Sequence, residues 1–118
     1  LIVNWTDQSA TLNHRARAYL DINCGRCHLS SGSASNTGLY LNYTETNDMN
    51  IGIFKKPVAA GRASADLKYS IVPGKPQESI LLHRMNSLDP GVMMPESGRA
   101  LLHSEGVELI NDWIENLQ

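Results

Sequence analysis

A single, mostly α-helical domain is the fold class this chain predicts, on three observations. Residues 11–22, "TLNHRARAYLDI", carry apolar side chains at helical spacing, and "PQESILLHRM" does so again after a Pro-Gly turn. The closing stretch "SEGVELINDWIENL" is strongly amphipathic. At 118 residues the chain has the length of one domain, taken here as residues 1–118.

The first helix takes Thr11 or Ser9 as its cap and places Leu12, Ala16, Tyr19 and Leu20 on one face. It runs into "INCGRCHLSSG", and "SSGSASNTG" then reads as a loop by its small polar residues. Leu39, Leu41 and Tyr43 alternate in "GLYLNYT", which suggests a short strand with "LKYSIV" as its partner, and loops with at most a short β-hairpin between them. The Gly-, Pro- and Asn-rich segment between them argues against any long regular element. Pro76 suits a first helical position, with Ile80, Leu81, Arg84 and Met85 following at helical spacing. After the Pro- and Gly-rich loop "LDPGVMMPESGRA", the last helix starts from Ser104 as its cap. It buries Val107, Ile110, Trp113, Ile114 and Leu117. Trp5, in a polar lead-in, is expected to cover an edge of the fold.

Composition narrows the partners. The formal net charge is −2 and the basic residues are scattered among acids, which argues against a nucleic-acid partner. No apolar run reaches the roughly 18 residues a membrane span needs. Aromatic content is 6% with one Phe, a thin supply for a core, to which a buried apolar macrocycle would add. The chain opens without Met and reads as a mature or excised piece of a longer protein.

The chemistry-bearing residues are Cys24, Cys27 and His28, which include both cysteines of the chain. A zinc site would need a fourth ligand from His14, His83, His103 or an acid, and none belongs to a second clustered pair. A redox dithiol belongs at the start of a helix, whereas this motif follows the end of one, where the helix dipole opposes a thiolate. Two ordinary cysteines leave the adjacent histidine unexplained. Covalent haem attachment accounts for all three residues. The thiols add to the two vinyl groups, the two-residue spacer matches their separation, and the next residue, His28, lies under the iron as an axial ligand.

With its leading helix, late Met-Pro loop and terminal helix, the chain resembles class I c-type cytochromes. The stretch "YSIVPGKPQESILLHRMNSLDPGVMMPESGRALLHSEGVELINDWIENL" is similar to cytochrome c modules of large multidomain secreted bacterial proteins. The resemblance implies crossed N- and C-terminal helices around one haem c and a methionine on the late loop as the second axial ligand. Met94, immediately before Pro95, matches that loop. Met93 and Met85 come next, Met85 also reading as core filler, and Met49, His83 and His103 stay open. Arg62, Tyr69 and Arg99 are candidate propionate donors and equally plain surface residues. Trp113 reads as packing of the helix crossing. "CHLSSG" lacks the proline that often follows the motif in mitochondrial-type members, so the acceptor for the His28 N–H is not identified from sequence.

The expected function is a monomeric, monohaem electron relay, periplasmic or extracellular, serving a redox partner such as a secreted copper oxygenase or another cytochrome. That partner is implied by the resemblance alone. Two alternatives use an open iron site: a haem peroxidase and a gas sensor with a displaceable ligand. Dihaem peroxidases need a second CxxCH, and this chain carries only the single motif at Cys24, Cys27 and His28.

Overall fold

Helix α1, Leu12–Asn23, begins where Thr11 in extended conformation accepts the His14 N–H on its hydroxyl at 3.2 Å. Its buried face is Ala16, Ala18, Tyr19 and Leu20. The computed structural model describes residues 2–25, 28, 31–32, 38–57, 64–87, 92, 94 and 104–118. Among these, α2 covers Asp48–Ile51, a 3₁₀ turn covers Pro76–Glu78, α3 covers Ile80–Met85 and α4 covers Ser104–Glu115. The radius of gyration is 13.1 Å, close to the about 13.5 Å expected for a compact domain of this length. Among the described residues no helix is long and apolar enough to cross a membrane.

The N- and C-terminal helices pack on each other, and α3 and the 3₁₀ turn pack on α4. Two features fix the α1–α4 crossing. Trp113 Nε1 on α4 donates to Asn13 Oδ1 on α1 at 3.0 Å, so the indole spans the crossing with its polar edge satisfied. Gly106 lies under the Tyr19 ring, where an added Cβ would overlap the phenol oxygen and ring carbons. Trp5 stands edge-on to the other part of Tyr19, centroids 5.1 Å apart at 85°, and its carbonyl accepts from Arg15 Nε at 2.9 Å. It covers the edge of the crossing as expected.

Gly106→Ala should therefore destabilise the protein although alanine is the better helix former. The helix propensity gain is about 1 kcal/mol, and overpacking against a buried ring costs about 3 kcal/mol. The net loss of about 2 kcal/mol is readable as a fall in thermal midpoint. Tyr19→Leu in the same chain should recover part of it. An alanine variant as stable as the parent would mean a looser crossing than described.

The segment before α3 is a folded turn. Lys75 N–H donates to the Val72 carbonyl at 2.9 Å across Pro73 and Gly74, and Gly74 has φ 79°, which only glycine adopts without strain. Gly74 N–H then donates to the Ile114 carbonyl at 2.8 Å, tying the turn to α4. Ser79 is fully buried; its hydroxyl accepts the Val72 N–H at 2.9 Å and donates to the Lys75 carbonyl at 3.0 Å. Both sides of a buried polar group are thus satisfied. Pro76 opens the 3₁₀ turn, and Ile80, Leu82 and Met85 of α3 enter the core.

Two expectations are corrected. No strand forms among the described residues; Ile53–Ile71 and Tyr69–Ser79 are isolated bridges. The backbone of "GLYLNYT" is satisfied elsewhere, since Tyr40 N–H donates to the Asn50 carbonyl at 2.7 Å and Leu41 N–H to the His28 carbonyl at 2.6 Å. No partner strand is left to pair, although Leu41 still enters the core and Leu39 packs against it. Ser104 is the first residue inside α4 and not its cap; position 103 lies outside the described residues. The stripe on α4 also includes Leu109, which the periodicity reading omits.

Candidate functional site around His28 and Met94

Cys24 terminates α1. Its N–H donates to the Leu20 carbonyl at 2.8 Å, and Gly25 N–H follows on Leu20 at 2.9 Å and Asp21 at 3.1 Å. A Cβ at Gly25 would stand 2.7 Å from the Asp21 carbonyl oxygen, so the motif needs its glycine where it leaves the helix. The chain then closes one more turn, His28 N–H to the Cys24 carbonyl at 2.9 Å. That turn brings residue 28 back beside residue 24. Cys27 lies outside the described residues.

The His28 imidazole is half-buried, and burial is the main cause that lowers its pKa below the ordinary histidine value. The positive charge of Arg84 lowers it further, while a hydrogen bond to the Leu39 backbone opposes both. A bond that favours the protonated form is a ring N–H donating to a carbonyl. Leu39 thus supplies the acceptor that the missing proline left open. Above the ordinary value of 6.5 the ring is neutral. The neutral form is the one in which imidazole binds a metal.

The strap carrying Leu39 is itself held from α1. Arg17 Nη2 donates to the Asn42 and Glu45 carbonyls, each at 2.9 Å, and reaches Tyr43 at 3.4 Å. Asp21 Oδ1 accepts the Tyr43 N–H at 2.8 Å. Burial lowers the Arg17 pKa, and its Nε is buried without a hydrogen-bond partner. On the other side α2, capped by Asn47 on the Asn50 N–H at 3.1 Å, supplies the Asn50 carbonyl to Tyr40. Residues 38–45 are thereby fixed over the end of α1, with the Leu39 carbonyl toward His28.

Met94 is half-buried, and its N–H donates to the Arg84 carbonyl at 3.0 Å. Arg84 Nε donates to the carbonyl of buried Val92 at 2.9 Å. One residue near the end of α3 thus contacts both Val92 and Met94 and lies within electrostatic reach of His28. Of the other methionines, Met85 is 4% exposed inside the core and Met49 is 59% exposed in α2. Met93 and His103 lie outside the described residues. His83 borders a shallow depression with Pro76, Gln77, Leu82 and Asn86, apart from Cys24, His28 and Met94.

Of the three propionate candidates, Arg62 and Arg99 lie outside the described residues. Tyr69 is half-buried, its ring edge-on to Phe54 with centroids 5.5 Å apart. Trp113 belongs to the helix crossing, as its bond to Asn13 requires. Among the described residues no three His, Cys, Asp or Glu side chains converge as a metal-binding group. Sequence reasoning missed Leu39, Arg17 and Arg84. The first acts through its backbone carbonyl, which no residue pattern announces; Arg84 stands in the quoted "ESILLHR" run but carries no role there. Comparisons of the chain with protein families, curated proteins and solved structures return no match.

Proposed function

We propose that this domain belongs to the covalent haem proteins that carry electrons. Within that class it reads as a monohaem c-type module of the class I cytochrome fold, with Cys24 and Cys27 as anchors and His28 and Met94 as axial ligands. The observation that carries the reading is His28: a half-buried imidazole whose pKa is lowered by burial, with its ring engaged by the Leu39 backbone, on a residue whose N–H donates to the Cys24 carbonyl.

The donor set fits the group. A thiol closes a helix, an oriented imidazole follows one turn later, and a thioether stands on a loop tied to Arg84, whose charge acts on that imidazole. Bound haem supplies a one-electron ferric–ferrous couple, and sulfur opposite histidine raises its potential relative to two histidines. The chain's own contribution is positional. The Leu39 carbonyl fixes the ring plane of His28, and the α1–α4 crossing holds the end of α1 that carries Cys24. Attachment of this kind is made outside the bacterial cytoplasm, so we place the domain in the periplasm or beyond the cell.

The test is electrochemical. The purified holoprotein should show a single reversible one-electron wave and exchange electrons with a second c-type cytochrome without consuming a substrate. An irreversible wave, or no wave at all, would overturn the relay reading.

A further inference from the structure

Arg84 occupies an unusual place. It is the penultimate residue of α3, just before buried Met85; its carbonyl accepts the Met94 N–H at 3.0 Å, and its Nε donates to the Val92 carbonyl at 2.9 Å. Val92 is buried, so its carbonyl has little water to fall back on if the guanidinium is lost. The two bonds run in opposite senses between the same residue and positions two apart on the loop. They tie the main chain of residues 92 and 94 to α3 at two points, and the side chain of residue 94 inherits that placement.

We propose that Arg84 is the positioning residue for Met94: its Nε, and not its charge, sets the loop register that presents the thioether. The inference rests on the reading of Met94 as an axial ligand. A mere surface cation would be replaceable by lysine, whereas a donor at Nε is not. Lysine keeps the charge but carries carbon at the Nε position. Glutamine loses the charge but places its amide nitrogen one bond beyond Cδ, where Arg84 has Nε.

The experiment compares Arg84→Lys, Arg84→Gln and Arg84→Met in the holoprotein, with Met94→Ala as the control. Two signals are read: the weak near-infrared band of sulfur-ligated ferric haem and the rate of carbon monoxide binding to the ferrous form. Glutamine should keep the parent's band and slow binding. Lysine and methionine should weaken the band and speed binding by about tenfold, the effect of losing one buried hydrogen bond. If lysine behaves like the parent and glutamine does not, the charge matters and the proposal is wrong. If all three match the parent while Met94→Ala loses the band, the proposal fails and the ligand reading stands. A parent protein with no band would sink the ligand reading itself. Amide exchange of the unmutated holoprotein serves as a second check. The Met94 N–H should exchange about as slowly as the Asn86 N–H, which donates to Leu82 at the end of α3. Fast exchange at Met94 would overturn the clamp whatever the variants do.

Discussion

After expression in a host able to attach haem to thiols, the intact protein should exceed its polypeptide mass by one haem, and acid–acetone extraction should leave that mass in place. Each thioether forms by addition of S–H across a vinyl C=C bond, so no atom leaves and the masses simply sum. Cys24 caps the end of α1, and its carbonyl accepts the His28 N–H at 2.9 Å. Replacing Cys24 and Cys27 together by Ala should make the haem extractable and leave a poorly folded chain. The described core is mainly aliphatic, with Tyr19 and Trp113 its only aromatics. Each large apolar side chain left uncovered costs about 1.5–3 kcal/mol, so uncovering three or four removes much of a total stability of about 5–15 kcal/mol. A polypeptide of unchanged mass from such a host would defeat the haem reading outright.

The elements legible in the sequence are those whose order is local. Thr11 and the run from Leu12 to Leu20 carry a cap and a face, and α1 forms where they say. The Pro73-Gly74 turn and Pro76 announce the entry to α3 by backbone chemistry that does not depend on distant partners. The spacing from Val107 to Leu117 shows α4, while its first turn, where periodicity is weakest, starts one residue earlier than the cap reading. The strand pairing fails for the opposite reason. Alternation at Leu39 and Leu41 reports which side chains turn inward, but pairing depends on what the backbone meets. Here it meets His28 and Asn50.

The same division runs through the candidate site. Cys24, Cys27 and His28 are legible because the chemistry needs those side chains at that spacing. The His28 ring is engaged by the backbone of Leu39, and the following residues 42–45 are held by Arg17 and Asp21 through bonds to their main chain. These bonds reach across 22 to 28 positions and would serve almost any residue types on the strap, so no pattern in the strap records them. Arg84 is similar: its Nε and its carbonyl both act on main-chain atoms of the loop. Side chains declare the chemistry of this domain, while main-chain contacts set its geometry.

Loss of the Met94 sulfur should convert the domain from a relay into a protein with an open iron site. If His28 and Met94 hold the haem as proposed, the ferrous parent should bind carbon monoxide slowly or not at all at neutral pH and show negligible peroxidase turnover. The Arg84 contacts hold the Val92 carbonyl and the Met94 N–H to the end of α3. In Met94→Ala the near-infrared band should vanish, and carbon monoxide binding should speed up by at least about a hundredfold, corresponding to about 2.7 kcal/mol of lost ligation. Peroxidase activity should appear with it. His28 keeps its Leu39 bond in this variant, so attachment and fold survive and the change is confined to one coordination position. Met85→Leu removes a thioether from the core at nearly constant volume and should leave the band intact, at a cost in stability below about 1.5 kcal/mol. A band that survives Met94→Ala and disappears in Met85→Leu or Met93→Leu would move the ligand to that methionine. Rapid, tight carbon monoxide binding by the parent would instead favour a gas sensor, and robust peroxide turnover an enzyme, because either needs an iron position that the chain does not fill.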